Sequence, residues 1–254
     1  MPRRFLSVLF GLLICATLVH AVEFRVLGWS TDDNSLRFDQ GRSTTDVQVE
    51  TDRLSSVYVA PGAESVTLYR PIKTADGKPG QQIACELVVP PGLKQGIVLL
   101  IPAVPVSSWI KPSQAIAPDA AHMRVPPTYH YHWLDDSIEA RPPGTIEFRN
   151  LQALPVAVRI GDREIEVPPH GKAQIPLVPG ARRIGFRAAT LIDGKWRVFA
   201  SSPLPTRGPD RILVIFREVE GSQRTGPADT GIRIVRLYEA APAPAPASTP
   251  VSDN

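Results

Sequence analysis

The chain has little cysteine, which limits the covalent chemistry available to it. Only two of its 254 residues are cysteines. Cys15 lies in an apolar N-terminal stretch, so a chain processed after that stretch keeps Cys85 alone and forms no intrachain disulfide. Cys85 alternates with Ile83 and Leu87 on one predicted strand face, which predicts a small buried core residue. The neighbouring sequence offers no basic residue to activate its thiol.

Recognisable catalytic motifs are also missing. The sequence has no Gly-x-Ser-x-Gly elbow, no His-Glu-x-x-His pair, no Walker loop and no dinucleotide fingerprint. Asp135 and Asp136 are adjacent, so on an extended chain they face opposite ways and do not act on one bond. We therefore predict a protein that is not an enzyme and needs no cofactor. A hydrolase assembled from distant residues is the third-ranked alternative.

The chain lacks a strong charge of either sign. It has 28 basic and 25 acidic residues, a formal net charge of +3. Two of the basic residues, Arg3 and Arg4, belong to the N-terminal stretch, and without them the balance is 26 to 25. A nearly neutral protein offers no electrostatic argument for binding nucleic acid.

The N-terminal 21 residues have the pattern of a bacterial secretory signal peptide. Arg3 and Arg4 give a positive start, Phe5 to Val19 are apolar, and a small-residue cleavage site ends at Ala21, so Val22 is the predicted new N-terminus. The apolar stretch is short for a membrane span. We expect a periplasmic or secreted protein with no stable membrane span after cleavage; an uncleaved anchor is the alternative.

Turn-forming residues, by contrast, are abundant. The chain has 27 prolines and 18 glycines, and 43% of its residues are hydrophobic. No long amphipathic helix pattern is visible. Short period-two apolar runs separated by Gly, Pro and Asp predict strands and hairpins. Such runs place alternating apolar residues at Leu36 and Phe38, Val47 and Val49, Val57 and Val59, Val66 and Leu68, and Trp196 and Val198.

One stretch of the sequence is repeated in a similar form. VAPGAESVTLYRPIKTADGK, residues 59–78, is echoed by VPGARRIGFRAATLIDGK, residues 178–195. In both copies a Pro-Gly-Ala turn precedes an alternating run that closes on Asp-Gly-Lys. The echo extends upstream, where residues 22–27 match 146–151, and downstream, where 97–101 match 212–216. The run 97–101 is apolar on both faces, so we place it in the middle of a sheet or at the contact between two units.

These patterns predict an all-β protein made of two tandem antiparallel β-sandwich domains, immunoglobulin-like and related by internal duplication. We place the first domain at 22–103 and the second at 144–239. The proline-rich residues 104–143 are predicted to form a stiff connector. Residues 240–254, with their Ala-Pro alternation, are predicted to form a disordered tail.

Two histidines in the connector form the best candidate metal site. His130 and His132 are two residues apart, so on a strand they point to the same face. His122 and Met123 lie near them in sequence, and a His/Met group in an oxidising compartment is suited to copper. Two histidines alone are an incomplete site. The alternative interpretation is a polar outer face of an edge strand.

The opposite face of the same segment carries three aromatic residues, Tyr129, Tyr131 and Trp133. Such a stripe is able to stack against sugar rings and so forms a candidate ligand platform. The competing interpretation is packing between the two domains.

Two further groups of charged residues, one acidic and one basic, give weaker indications of a binding site. Asp32, Asp33, Asn34 and Asp39 form a turn-rich cluster without the ligand spacing of a calcium loop. The second domain is locally basic, with Arg183 and Arg187 expected on the solvent face opposite Ile184. The basic residues are Arg182, Arg183, Arg187, Lys195, Arg197, Arg207 and Arg211. A solvated face is the ordinary interpretation and an anionic partner the alternative.

The function that fits these features is a non-catalytic binding or scaffolding role in the bacterial cell envelope, with a protein or a glycan as partner. The alternative is a periplasmic copper or zinc binder that uses His130 and His132.

Overall fold

A computed structural model of the protein describes most of the segment between residues 21 and 240. The described ranges are 21–29, 31–40, 42–62, 64–74, 76–103, 128–178, 180–206, 210–218 and 231–240. All but the last residue of the predicted signal peptide, most of the predicted connector and all but the first residue of the predicted tail lie outside these ranges. Within them every regular element is a β-strand.

The described strands fall into two units. The first unit contains β1 (Val22–Gly28), β2 (Asp33–Gln40), β3 (Ser43–Val49), β4 (Tyr58–Ala60), β5 (Ser65–Lys73), β6 (Pro79–Val88), β7 (Gln95–Pro102) and β8 (Tyr129–Asp135). The second contains β9 (Thr145–Asn150), β10 (Val156–Ile160), β11 (Arg163–Val167), β12 (Lys172–Pro176), β13 (Arg183–Ile184), β14 (Phe186–Ile192), β15 (Lys195–Ser201), β16 (Leu204–Pro205), β17 (Arg211–Glu218) and β18 (Ile232–Glu239).

Each unit is a sandwich of two four-stranded sheets with the same strand order. In the first unit the sheets are β4-β1-β7-β8 and β3-β2-β5-β6, and in the second they are β12-β9-β17-β18 and β11-β10-β14-β15. Each four-stranded sheet of one unit therefore has an element-by-element counterpart in the other, and the second unit adds the two-stranded sheet β13-β16. The prediction of an all-β protein with two tandem sandwiches is confirmed, and the shared topology supports the predicted duplication.

The sandwiches are not purely antiparallel. β1 runs parallel to β7, and β9 runs parallel to β17 in the corresponding place. All other pairings between these strands are antiparallel. The sequence pattern did not predict the parallel pair, because strand direction depends on a crossover that alternation does not encode.

The echoed turns occupy equivalent places in the two units. Gly62 and Gly180 precede β5 and the β13–β14 segment, and Gly77 and Gly194 close the hairpins β5–β6 and β14–β15. All four glycines have φ between 61° and 79°. This left-handed backbone is strained for residues with a Cβ, which explains why glycine stands at these turns in both copies.

In the first unit, Ile83 lies on a different strand face from the one predicted. Ile83 was expected on the same face as Cys85, but Ile83 is 64% exposed whereas Cys85 is buried. The pairing shifts there, since Leu68 faces Cys85 while Tyr69 faces Ile83, which leaves Ala84 as an extra residue. This bulge reverses the side-chain alternation. Leu68 and Cys85 remain in the core as predicted.

The face of β4 is also reversed relative to the prediction. Val57 and Val59 are exposed, whereas Tyr58 and Ala60 are buried. Tyr58 pairs with Phe24 of β1, which points into the core, so its neighbours in sequence point outward. The Tyr58 hydroxyl accepts a hydrogen bond from the Gln48 N–H at 2.9 Å.

The two units meet through the sheets that contain β1 and β9. We call these the inner sheets, and the apolar contact between them the junction. Its side chains alternate with those that face each unit's own core. The buried junction residues are Leu27, Trp29, Ile97, Leu99, Ile101 and Leu134 of the first unit and Leu213, Ile215, Val235 and Leu237 of the second.

The junction explains the doubly apolar runs. β7 is central in its sheet and also contacts the second unit, so both predicted locations for residues 97–101 are correct. The proposed match between 97–101 and 212–216 is one residue out of register. Ile97 faces the junction, whereas Ile212 faces the core of its own unit. A one-residue shift exchanges the two faces of a strand.

β8 lies within the segment predicted as connector. It pairs with β7 along its whole length, from Gly96 opposite Asp135 to Pro102 opposite Tyr129. The first sandwich therefore extends to Asp135, in the same way that β18 completes the second. The described residues contain no helix with the length and apolar character needed to cross a membrane.

Candidate functional site

Buried charges gather at one end of the junction. Arg25 lies on β1, Asp136 follows β8, and Arg141 lies in the turn before β9. Arg211 begins β17 and Glu239 ends β18. Arg25, Leu27 and Trp29 share one face of the first unit, so the strand that supplies the apolar junction also supplies its terminal charge.

The arginines bridge the two units. Arg25 forms ion pairs with both Asp136 and Glu239. Arg141 donates from Nη1 to Asp136 Oδ1 at 2.5 Å and from Nη2 to Glu239 Oε2 at 2.8 Å. Arg211 Nη1 donates to the backbone carbonyl of Asp136 at 3.1 Å. Asp136 and Glu239, from different units, are thus held by the same cations.

A third carboxylate extends this group. Glu147 is 2% exposed and pairs with Arg149, while its Oε2 lies 3.9 Å from Arg141 Nε. We call Arg25, Arg141, Arg211, Asp136, Glu147 and Glu239 the ionic cluster. Glu147 is paired most closely with Arg149, whereas Asp136 and Glu239 share Arg25, Arg141 and Arg211. Each carboxylate therefore has a cation, which offsets the cost of burying its charge.

The electrostatics favour the ionised form of the cluster. Burial alone would raise the pKa of Glu239, but the charges of Arg141 and Arg25 hold it below its ordinary value. Burial likewise opposes the charge on Arg25, yet Glu239 and Asp136 raise the pKa of its guanidinium. Because these arginines favour the ionised form of Glu239, this carboxylate is suited to structure and recognition rather than to proton donation.

A cleft of about 700 Å³ opens over the ionic cluster. Arg25, Arg211 and Glu239 lie in its wall, and the lining includes residues of both units. Its apolar lining includes Val57 and Ile138, which are 57% and 48% exposed. Junctions between units are common places for binding sites.

Arg211 is a buried residue of the cleft wall. It is 7% exposed, and its Nη2 lies 3.5 Å from Asp136 Oδ1 and 3.8 Å from Glu239 Oε1. The sequence interpretation placed Arg211 in a solvated basic face, which is wrong because its side chain is buried and faces these two carboxylates.

The predicted metal residues lie at the other end of the junction. His130 and His132 are exposed on the face of β8 that also carries the junction residue Leu134. Desolvation, followed by the charges of Arg217, His170 and His130, lowers the pKa of His132. The fold therefore brings His170, from a turn of the second unit, into the neighbourhood of the pair. Among the described residues no three His, Cys, Asp or Glu side chains are arranged to hold a metal ion.

The aromatic stripe packs into the first unit. Tyr129 belongs to the core, and Tyr131 and Trp133 pack against it. The ring centroids of Trp133 and Phe24 are 6.0 Å apart in an edge-to-face arrangement. The Tyr129 ring, 6% exposed, is not open to a ligand in this conformation, and the competing interpretation of packing between domains placed the stripe on the wrong neighbour.

The acidic turn also serves the first unit. The Tyr129 hydroxyl donates to Asp33 at 2.6 Å, and Arg70 donates to the same carboxylate at 2.5 Å. Burial would raise the pKa of Asp33, but hydrogen bonds from Ser35, Tyr129 and Arg70 lower it. Asp32 accepts a hydrogen bond from the Thr51 N–H instead, so these carboxylates hold separate protein partners.

Two predictions about single residues are confirmed. Cys85 is buried, and burial together with the nearby charge of Glu86 raises the pKa of its thiol to about 11. Arg183 and Arg187 are exposed on either side of the buried Ile184, as the alternation predicted.

The chain shows no match to known families at the level of sequence. No protein-family model matches it, and no curated protein matches it either. The fold and the site together define an all-β protein of two sandwiches, joined by an apolar junction with a buried ionic cluster at one end.

Proposed function

We propose that the protein is a non-catalytic binding or scaffolding protein of the bacterial cell envelope that holds a protein partner in the cleft over the ionic cluster. The observation that carries the proposal is the cleft itself, whose wall joins residues of both units and places exposed apolar side chains beside Arg25, Arg211 and Glu239. The secretory pattern of residues 1–21 supports the cell envelope as the location. We retain an immunoglobulin-like fold as part of the proposal.

The chemistry of the cleft favours a polypeptide over a glycan. Its exposed apolar residues, Val57, Ile138 and Tyr238, offer contacts for aliphatic side chains. Arg25, whose side chain is partly exposed in the cleft wall, offers a hydrogen bond to a carbonyl or carboxylate oxygen, which every peptide segment carries. Only one exposed aromatic ring, that of Tyr238, lines the cleft among the described residues, which is a small surface for stacking a sugar.

The ionic cluster makes the cleft rigid. Arg141 and Arg25 fix residues of both units, so the two walls keep their spacing before a partner arrives. A preformed site loses less conformational entropy on binding. The ion pairs with Arg141 and Arg25 also lower the pKa of Glu239, which supports a role without proton transfer for this residue.

A photocrosslinking experiment tests the proposal in the producing cell. A benzophenone side chain at Ile138 should form an adduct with a specific envelope protein, because this position faces the cleft. The same probe at Val178, which is also exposed at 57% but lies outside the cleft, is the matched control.

The exposed Val57 allows the cleft to be blocked without disturbing the fold. Val57→Trp should abolish the adduct formed from Ile138, while Val178→Trp should leave it intact. Equal adducts from both probe positions, or an adduct that survives Val57→Trp, would show that the cleft is not the binding site.

A copper or zinc site is the second candidate function. The observation that favours it is that His170, from a turn of the other unit, contributes to the lowered pKa of His132, after burial and the charge of Arg217. The lowered pKa keeps His132 neutral, the form that binds metals.

Calorimetric titration with Cu(II) and Zn(II) tests this candidate. Binding should weaken at least tenfold in His130→Ala/His132→Ala and also in His170→Ala. Affinity that is unchanged in the double variant would remove the metal hypothesis.

A further inference from the structure

The two units expose equivalent apolar edges. Among the described strands, β6 and β15 each have a neighbour on one side only, and they hold the same place in their sheets. Ile83 and Val88 on β6 are 64% and 60% exposed. Trp196 and Val198 on β15 are 47% and 50% exposed. Of the ten large apolar side chains that are exposed among the described residues, four therefore lie on these two corresponding edges.

Exposed apolar edge strands are templates for pairing with another strand. The outward backbone groups of such a strand are open to pairing, and soluble proteins usually protect them with charge, especially lysine. On β6 the Val88 N–H is already used, since it donates to the Tyr131 hydroxyl at 3.0 Å, so new backbone pairing on β6 involves the residues before Val88. β6 has no lysine or arginine, and its single charged residue is Glu86. β6 contains a bulge at Ala84, and β15 contains a bulge at Phe199. A bulge interrupts the hydrogen-bond ladder, so regular pairing with another strand is limited to the segments before and after it.

The charges distinguish between the ways in which two copies could pair. β15 carries Lys195 and Arg197, so pairing it with the β15 of another copy brings like charges together. β6 and β15 carry opposite charges. The contrast extends to the surrounding residues: 33–88 have six basic and eight acidic side chains, and 156–201 have eight basic and four acidic. Opposite potentials favour contact between the first unit of one copy and the second unit of the next.

We propose that β6 of one copy pairs with β15 of a second copy, so that the protein assembles head to tail. The sheet β3-β2-β5-β6 of one copy and the sheet β11-β10-β14-β15 of the other then form one continuous sheet, with Ile83 and Val88 beside Trp196 and Val198. The contact is heterologous, which leaves a free β6 at one end and a free β15 at the other, so further copies add in the same way. This assembly uses neither the cleft nor the ionic cluster, and it does not depend on the proposed function.

Two edge variants test the assembly. The β6 variant is Ile83→Lys/Val88→Lys, and the β15 variant is Trp196→Lys/Val198→Lys. All four side chains are at least 47% exposed, so the fold should persist, which circular dichroism checks. The control is Val178→Lys, an exposed apolar position on neither edge.

The molar mass of the full chain is measured by light scattering over a concentration series. The wild-type protein and the control should exceed the monomer mass and increase with concentration, and the mass should fall as salt is added. Each edge variant alone should be a monomer. An equimolar mixture of the two variants should stop at a dimer, since it retains one intact β6 and one intact β15.

The proposal is overturned if the wild-type chain is monomeric at its highest soluble concentration. It is equally overturned if either edge variant alone still forms dimers, because that result indicates an isologous contact. The crosslinking experiment at Ile138 tests the proposed function separately, because its result does not depend on whether copies of the chain pair through β6 and β15.

Discussion

Replacing Arg141 by methionine removes the cation that binds carboxylates of both units in the ionic cluster. Arg141 is 1% exposed and contacts Asp136, Glu239 and, more distantly, Glu147. Methionine is shorter than arginine, so it keeps only the aliphatic part of the packing. The substitution removes the guanidinium charge that Asp136 and Glu239 share and leaves these two carboxylates with Arg25 and Arg211, while Glu147 keeps Arg149.

The expected loss is large because the remaining carboxylates stay buried. Removing one partner of a buried ion pair costs about 3–5 kcal/mol, compared with about 5–15 kcal/mol for the whole free energy of unfolding of a typical domain. Burial by itself raises the pKa of Glu239, so the residue becomes harder to ionise once Arg141 is gone. We expect Arg141→Met to lower the free energy of unfolding by about 3 kcal/mol or more.

Urea unfolding at pH 7 measures this loss, with an exposed ion pair as the matched control. Arg37 and Asp46 are 2.7 Å apart, but their side chains are 43% and 72% exposed, so Arg37→Met should cost less than about 1 kcal/mol. Arg141→Met/Glu239→Gln restores the charge balance. It should be more stable than additivity of the two single variants predicts, by about 0.5–3 kcal/mol.

A small effect would refute this reasoning. If Arg141→Met cost no more than Arg37→Met, the ionic cluster would contribute nothing beyond a surface pair. A double variant that is strictly additive would show that Arg141 and Glu239 do not interact in the folded protein.

Three further predictions follow from individual contacts. The folded pKa of Glu239 lies below its ordinary value of 4.5, so its contribution to stability is present above that value and is lost as the pH falls through the folded pKa. Urea unfolding over a pH series should show this loss of stability in acid, and the loss should be smaller in Glu239→Gln. In a chain whose other cysteine is replaced by serine, Cys85, with its pKa of about 11, should react with a thiol reagent at pH 8 only after unfolding, and rapid labelling of the native protein would contradict its burial. A Cβ added at Gly28 would lie 2.2 Å from the Thr31 carbonyl oxygen, so Gly28→Ala should destabilise by about 1–3 kcal/mol in thermal unfolding. Gly185→Ala, where a Cβ meets nothing within 4 Å, should change stability by less than about 1 kcal/mol, and equal effects at the two glycines would contradict the geometry.

The strands and turns could be predicted from the sequence because their causes are local. Alternation at Leu36 and Phe38 places both in the core, as the structure confirms. Glycine at positions 77 and 194 marks the same hairpin in both units because only a residue without Cβ adopts that backbone freely. Such features need no knowledge of distant residues.

The failures concern register and distant pairing. The bulge at Ala84 turns Ile83 outward, and nothing in the alternation of β6 marks it. Tyr58 is buried in place of Val57 because its pairing with Phe24 fixes the face of β4. These outcomes depend on which strand lies alongside, which a local pattern does not state.

The ionic cluster was missed for a similar reason. Asp136 and Glu239 are about a hundred positions apart and meet only because β8 and β18 occupy equivalent places in facing sheets. The sequence contained one indication of the ionic cluster. Arg25 shares a strand face with Leu27 and Trp29, and a charge on an otherwise apolar face indicates a buried partner. The location of the histidine pair on a strand was predicted, whereas the approach of His170 was not.

The contact between the two units is tested most directly by a double-mutant cycle on Arg25 and Glu239, which lie in different units and form an ion pair. Unfolding free energies are measured for the wild-type protein, Arg25→Met, Glu239→Gln and the double variant. We predict a coupling free energy between about 0.5 and 3 kcal/mol. A coupling within about 0.3 kcal/mol of zero would mean that the two residues act independently and that the units do not meet in this way.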